Sequence, residues 1–418
     1  MRSLRDPDRL LAAGLAAIRT QFKVPEQFPD AVEAAAQAAI ARQPGEHADR
    51  TDRPFVTLDP ASSTDLDQAF AIEPAGADLL LHYAIADVSW FVASGDPLDL
   101  EAWNRGETTY LPDGKARLYP KALSEGAASL LPDGPRPAVV FTTRVAGDGT
   151  VRLEGVERAV IRSRAKLAYD TVRDDQLPQG FADLAQRIAL ADEARGAARV
   201  DPPEQEVEHD AAGHFTLRLR PLGLAERRNA ALSLATNLAV ARALLDAGTG
   251  LFRVMAGPDA RAQQRLRYTA RAFGLDWPAD LPLGAFEQQL DPAEPRAAAF
   301  MLALRRAGNG ASYEPYRPGV TPWHAAIAAP YCHVTAPLRR LADRFVIDAA
   351  LALANGRPVA RATSEAFELL GPVMAKAGAR SAQVERAVVD LAEAAVLAGR
   401  EGDAFAAVVT DIGGVLRL

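Results

Sequence analysis

Residues 58–70 read L-D-P-A-S-S-T-D-L-D-Q-A-F. Asp59, Asp65 and Asp67 put three carboxylates within nine residues. They would repel one another at neutral pH without a positive charge among them, and an all-oxygen set of this kind suits magnesium or manganese. Val56 and Leu58 alternate with polar neighbours before Asp59, and an apolar run resumes from Ala69 to Ile72. The acids are therefore predicted on an irregular loop between two strands. Asp65 and Asp67, two apart in extended chain, would project to one side. The competing reading is a solvated turn built from Asp59-Pro60 and Ser62 to Thr64. An EF-hand loop fits less well, because its glycine and distal glutamate are missing at the required spacing.

A second segment bears on the choice. Residues 331–345, Y-C-H-V-T-A-P-L-R-R-L-A-D-R-F, look like the start of a helix, with Thr335 as its cap and Pro337 in the first turn. Arg339 and Arg340 then fall in the first turn and a half, where the helix dipole disfavours cations. Their placement makes sense if the backbone amides and both guanidinium groups face a phosphate. The plainer alternative is an i, i+4 pair between Arg339 and Asp343.

Together the two segments resemble the catalytic (RNB) domain of the ribonuclease II and ribonuclease R family, whose signatures are a D-P-x-x-x-x-D-x-D-D-A loop and a Y-x-H-x-T-S-P-I-R-R-Y-x-D segment. H-Y-A-I-A-D-V-S at 82–89, P-L-D-L-E-A-W-N-R-G-E-T-T-Y-L-P at 97–112 and S-R-A-K-L-A-Y-D at 163–170 follow in family style and order. The resemblance spans roughly residues 53 to 390.

It implies that Asp59, Asp65 and Asp67 hold divalent metal, Mg2+ or Mn2+, with Asp67 the aspartate on which catalysis most depends. It further implies that Arg339 contacts the scissile phosphate, with Arg340 and Thr335 beside it on the substrate side. Tyr169 would hold the nucleotide at the 3′ end, and Tyr110 would stack further along the strand and limit how short the final product becomes. Core packing is the alternative for each aromatic, more so for Tyr169, which is predicted in a helix, than for Tyr110, predicted in a loop. His324 and His333 are read as structural. In such a site two metals ~4 Å apart activate water and stabilise the leaving 3′ oxygen, while Arg339 neutralises charge on the non-bridging oxygens. The implied products are nucleoside 5′-monophosphates.

The chain departs from the family pattern at informative places. Gln68 stands where the family has a second adjacent aspartate, so a neutral carbonyl would replace a carboxylate ligand and weaken one metal site. Ala230 and Ala231 stand where relatives carry paired glutamates, one of which helps to recognise the terminal ribose, which puts discrimination through the 2′-hydroxyl in doubt. Glu226 is a candidate displaced substitute. Ala336, Leu338 and Leu341 are milder changes.

At 418 residues, 49% hydrophobic and 24% charged, the chain has the composition of a soluble globular protein with one large domain and small additions. A single cysteine, Cys332, excludes an internal disulfide or a thiolate metal cluster and fits a reducing cytoplasm. Cys332 and His333 are adjacent and would point apart, which argues against a cysteine hydrolase. The net charge of −7 argues against a protein that coats nucleic acid but not against one that threads a single strand. Arg261 to Arg271, Arg305, Arg306, Arg339, Arg340 and Arg344 would supply a local lining, with a solvated helix face as the alternative for the 261–271 run. No apolar stretch is long enough to span a membrane.

Three parts are expected. Residues 1–50 form a small helical unit, with Asp30 capping a helix through Ala41 and Glu33 completing a capping box. This unit stands in place of the family's cold-shock-like OB folds and has some features of a helix-turn-helix or winged helix. Residues 51–395 form the catalytic domain, an α+β fold with a mixed or antiparallel sheet flanked by helices and the acid cluster at the bottom of a channel. Residues 403–418 read as the start of an OB fold, incomplete against the five strands such a fold takes. The predicted function is a divalent-metal-dependent 3′-to-5′ exoribonuclease acting on single-stranded RNA. The alternatives are a catalytically weak or inactive RNA-binding protein of the same fold, and a phosphoesterase for short oligonucleotides.

Overall fold

Strand-forming runs between Ala48 and Ala168 close into a five-stranded barrel in the computed structural model, which describes residues 10–197, 204–209, 215–220, 222–307, 310–398, 400–405, 411–413 and 415–417. Two helices, α1 (Leu10–Gln21) and α2 (Asp30–Ile40), precede an antiparallel meander of β1 (Ala48–Asp59), β2 (Gln68–Ala75) and β3 (Asp78–Ala86). The short helices α3 (Val88–Phe91) and α4 (Pro97–Arg105) and the hairpin β4 (Thr109–Leu111) and β5 (Gly114–Ala116) come next. The chain then returns through β6 (Arg136–Val145) and β7 (Val151–Ala168).

β7 closes the barrel because it is long enough, at 18 residues, to pair with β6 on one side and β1 on the other. The β1–β7 pairing is parallel and the others are antiparallel, so of the two expected sheets, mixed or antiparallel, the mixed one forms. Register shifts around Phe55 bend β1 toward its partner. β3 is buried on both faces from Leu81 to Ala86, one set filling the barrel and the other covered from outside.

The second half is mostly helical. α5 (Phe181–Ala194) is followed by the hairpin β8 (Glu204–His209) and β9 (Phe215–Arg220), then α6 (Leu224–Asp246). β10 (Leu251–Val254) and β11 (Ser312–Pro315) form a second hairpin, whose long connection carries α7 (Ala260–Ala272), α8 (Leu283–Glu287) and α9 (Pro295–Ala307). α10 (Leu341–Ala354) and α11 (Arg361–Leu397) follow. α6 is buried without interruption from Ala235 to Ala241, the mark of an interior helix, and it packs on β3, β6 and β7. One core joins the barrel (Phe55, Tyr83, Phe141) to α5, α6 and α10 through Phe181, Leu232 and Ile347.

The N-terminal helices differ from expectation. α1 lays Leu15 and Ile18 against Val384 of α11, whereas α2 buries Val32, Ala36 and Ala39 in the main core. They are docked on separate parts of the body and do not make a self-contained helix-turn-helix. Asp30 is the first helical residue and not the cap; Pro29 occupies that position without a side-chain hydrogen bond. At the far end, Asp411–Gly413 and Val415–Arg417 pair as antiparallel strands; positions 406–410, 414 and 418 of the expected OB segment lie outside the described residues. No helix among the described residues is long and apolar enough to cross a membrane.

Candidate active site

β1 ends on Asp59 and β2 begins on Gln68, so the acids do lie on a loop between strands. Its first half, residues 60–64, is the exposed turn of the alternative reading, closed by Ser63 N donating to the Pro60 carbonyl at 2.9 Å, but its acidic end is buried. Leu66 is fully buried and Asp67 is 6% exposed. Leu66 N donates to Ser129 Oγ at 2.8 Å, that hydroxyl donates to the Thr64 carbonyl at 2.7 Å, and Ala86 N donates to the Asp67 carbonyl at 2.9 Å. Apolar burial of Leu66 and these three bonds hold the loop shut, because each of these buried groups needs a partner.

The 335–340 segment faces this loop. It is a turn, and α10 begins only at Leu341 with Arg340 in the cap position, which corrects the expected start at Thr335. Thr335 is buried, and its carbonyl accepts from Gln68 Nε2 at 2.6 Å. Leu338 N donates to Asp67 Oδ1 at 2.7 Å. Arg339 Nε lies 3.6 Å from Asp67 Oδ2 with its side chain 45% exposed. Asp343 pairs with Arg340 and not, as the i, i+4 alternative had it, with Arg339. It accepts from Arg340 Nη2 at 2.8 Å and from Ala336 N at 2.8 Å, which closes the turn on itself. Arg340 is therefore tied into the turn through Nη2, with its Nε buried and unpartnered. Arg344, expected as channel lining, is buried and hydrogen-bonded to Asp99.

The turn is pinned from behind by residues 106–108. Leu341 N donates to the Gly106 carbonyl at 3.0 Å, and Thr108 N to the Arg339 carbonyl at 3.0 Å. Gly106 has φ +73°, and a Cβ there would stand 2.6 Å from the Ala377 Cβ, so only glycine fits.

Burial raises the Asp59 carboxyl to about 7, with Arg339 opposing the shift and Asp65 adding to it. Burial likewise raises Asp67 to about 7 against the pull of Arg339 and the Leu338 amide. Two desolvated carboxylates that both feel Arg339 and Asp65 are oxygen donors of the kind that suits a hard divalent cation. Asp65 has another partner. It pairs with Lys115 of β5 at 2.7 Å, and Lys115 also holds Glu125 at 2.9 Å. Burial alone would raise Glu125, but Arg117 and Lys115 bring it down to about 2. Gln68 Oε1 accepts from the buried Tyr83 hydroxyl and, at 3.2 Å, from Ser233 Oγ of α6. Among the described residues no three acidic, histidine or cysteine side chains converge as an ion cage. The residues thus fit a cation held by Asp59 and Asp67, while Asp65 and Gln68, both expected as ligands, are engaged elsewhere.

Both tyrosines border these charges in settings other than those predicted. Tyr169 is in the turn after β7, not in a helix; its N–H donates to the Asp59 carbonyl at 3.3 Å, and Asn229 Nδ2 donates to its hydroxyl at 2.9 Å. Tyr110 is on strand β4, half exposed. Burial pushes the phenols of both upward, and Asp59 adds to this at Tyr169, Asp65 at Tyr110. Glu226 is not a free substitute for the missing glutamates, since it binds Arg220 at 2.9 Å and the Gly223 amide. His333 bonds Tyr313 at 2.7 Å, and burial lowers His324 to about 4, which suits structural roles. Buried Cys332 donates to the Asn237 carbonyl at 3.4 Å and burial pushes its thiol well up. Sequence reasoning assigned no role to Lys115, Ser129, Ser233 and Asn229, nor to Tyr83, although Tyr83 lies in the 82–89 stretch.

The RNB domain family matches residues 47–352, a span containing the acid loop, the barrel and the arginine turn. The chain belongs to the RNB-domain family. It is 27% identical over 424 residues to Ribonuclease R of Aquifex aeolicus, covering 94% of this chain and 59% of that protein. It is 30% identical over 364 residues to Ribonuclease R of Escherichia coli, covering 78% and 43%. The chain thus spans roughly half the length of these relatives. In fold it is similar to Mycoplasma genitalium RNase R in complex with ribose methylated single-stranded RNA, with TM-score 0.81, 21% identity and coverage of 96% of this chain and 66% of that one. It is also similar to yeast Ssd1, a pseudonuclease, with TM-score 0.67, 16% identity and coverage of 93% and 50%. The RNB fold in this chain therefore has nuclease and pseudonuclease counterparts alike.

Proposed function

We propose that this RNB-domain protein is a divalent-cation-dependent exoribonuclease that removes nucleoside 5′-monophosphates from the 3′ end of single-stranded RNA. The observation that carries the reading is Arg339, half exposed and 3.6 Å from Asp67, beside a second desolvated carboxylate at Asp59. A purely structural ion pair would leave neither a spare acid nor an accessible guanidinium. Asp59 and Asp67 would hold the cation, Mg2+ or Mn2+, which when bound supplies an activated water and charge neutralisation at phosphorus. Arg339 offers its exposed N–H groups to the non-bridging oxygens, where negative charge grows. Leu338 N holds one oxygen of Asp67, leaving the other 3.6 Å from the arginine. Tyr169 borders Asp59 and suits the terminal nucleotide; Tyr110 suits a base further along the strand. The RNA-bound Mycoplasma relative and the two Ribonuclease R relatives support RNA as the substrate class.

The test is hydrolysis of a 5′-labelled single-stranded RNA under Mg2+ and Mn2+ titration, beside a DNA of the same sequence and an Asp67→Asn variant. Stepwise 3′ shortening of the RNA that the substitution abolishes is the expected result. Tight RNA binding without shortening at any metal concentration would overturn it in favour of the RNA-binding reading.

A further inference from the structure

Gln68 has its carbonyl oxygen and one amide proton engaged. Oε1 accepts from the Tyr83 hydroxyl, and Ser233 Oγ closes the triangle, 3.2 Å from Oε1 and 2.7 Å from the Tyr83 oxygen, with a single proton to give to one of them. Nε2 donates to the Thr335 carbonyl at 2.6 Å. The orientation of the amide is fixed by its surroundings, since a backbone carbonyl can only accept while the two hydroxyls can donate. Tyr83 is fully buried on β3, Ser233 is on α6, and Thr335 opens the turn whose Leu338 amide and Arg339 guanidinium hold Asp67. One side chain, next in sequence to Asp67, thus ties the barrel, the interior helix and the arginine turn together.

We infer that Gln68 is a positioning residue that sets the Asp67–Arg339 geometry, that it is not a cation ligand, and that the position requires a neutral side chain able to accept and donate at once. This rests on the proposed function for its kinetic consequence but not for its geometric one. A carboxylate at residue 68 would keep the Tyr83 and Ser233 bonds. It would also set a bare oxygen against the Thr335 carbonyl with no proton between them, leaving two buried acceptors unpaired. The turn would then draw away from the acid loop and carry Arg339 with it.

The test compares Gln68→Glu and Tyr83→Phe with the wild-type chain in two measurements, kcat and KM on single-stranded RNA and Mn2+ binding by calorimetry. Gln68→Glu should lower kcat by about 10- to 100-fold, the range seen when groups that orient site residues are changed, with KM nearly constant and no gain in Mn2+ affinity. Tyr83→Phe, which removes one anchor and touches neither cation nor RNA, should shift kcat in the same direction by a smaller factor. A Gln68→Glu protein that binds Mn2+ about tenfold more tightly, ~1.4 kcal/mol, would overturn the inference by showing that residue 68 faces the cation. Tyr83→Phe with wild-type kcat would overturn it as well. If Gln68→Glu fails to fold, Tyr83→Phe and Ser233→Ala carry the kinetic arm. If the wild-type chain hydrolyses no RNA, the proposed function fails while the Mn2+ comparison still decides the role of Gln68.

Discussion

Leu338 and Asp67 are joined by a backbone-to-carboxylate hydrogen bond of 2.7 Å, and this bond decides where the next residue points. With one carboxylate oxygen held by the Leu338 amide, the other lies 3.6 Å from Arg339 Nε, too far for a strong hydrogen bond and near enough for attraction. Arg339 is thus attracted to the acid without being consumed by it.

Arg339→Ala should therefore cut kcat by about 10²- to 10³-fold, the usual loss when a donor to developing charge is removed. It should change thermal stability little, by about 1 kcal/mol, because Arg339 is half exposed and the buried Asp67 carboxyl, already raised to about 7, takes up a proton readily once the arginine is gone. Steady-state kinetics beside a melting curve checks both halves. An Arg339→Ala protein with wild-type kcat would remove the arginine from the mechanism.

The neighbouring arginine should behave in the opposite way. Asp343 is fully buried and takes Arg340 Nη2 and Ala336 N on one oxygen, so Arg340→Ala strands a buried charge at a cost of roughly 3–5 kcal/mol. Urea unfolding should show that loss. If Arg340→Ala were as stable as wild type yet lost affinity for RNA, the guanidinium would belong to the substrate after all.

The contrast between these two arginines marks the limit of what was legible in the sequence. The acid loop between strands, the mixed sheet and the helical second half follow from local periodicity and were readable. Closure of the barrel depends on β1 pairing with β7, Asp59 with Ala168, and no local pattern encodes a contact across that separation. The i, i+4 rule pointed to Arg339 and Asp343 because it assumes a helix; Pro337 and the buried turn delay the helix to Leu341, which shifts the pairing by one residue. Lys115 was invisible for a related reason. Its partner Asp65 is fifty residues away in sequence, and a lone lysine in a short hairpin has no signature. Gln68 was read as a weakened ligand because composition reveals a missing charge but not the Tyr83, Ser233 and Thr335 contacts that use the amide.

Glu287 supplies a prediction about pH. It sits in the small core formed by α7, α8 and α9 near Phe286 and Phe300, is 4% exposed, and has no hydrogen-bond partner for Oε2. Burial raises its carboxyl from 4.5 to about 7. A raised carboxyl binds its proton more tightly in the folded state, so its stabilising effect is complete below about pH 4.5 and is lost as pH rises through about 7. Glu287→Gln should remove this slope, and the variant should gain on the order of 2 kcal/mol over wild type between pH 5 and 8. Urea titrations of both proteins at those two pH values give the difference directly. A pH-independent difference would show that the carboxyl is already ionised and solvated in the folded chain.

If the chain shortens RNA from the 3′ end, the β4–β5 hairpin should make the length of the final product depend on an ion pair. Tyr110 and Lys115 are cross-strand partners and so present their side chains on one face of the hairpin. Lys115 bridges Asp65 and Glu125 at 2.7 and 2.9 Å, which fixes the half-exposed tyrosine relative to the acid loop. If Tyr110 stacks on a base, Tyr110→Ala should leave the first cleavages at nearly wild-type rate and stop degradation at a longer or less uniform end product, since a stacked aromatic is worth about 1–3 kcal/mol per base. Lys115→Met should blur the end product in the same way while leaving the tyrosine in place, because the hairpin then loses its tether to Asp65. Gel analysis of exhaustive digests of a 5′-labelled RNA resolves single nucleotides. Identical end products from wild type and Tyr110→Ala would return Tyr110 to a packing role, and an effect of Tyr110→Ala without one from Lys115→Met would show that the hairpin holds its position without the ion pair.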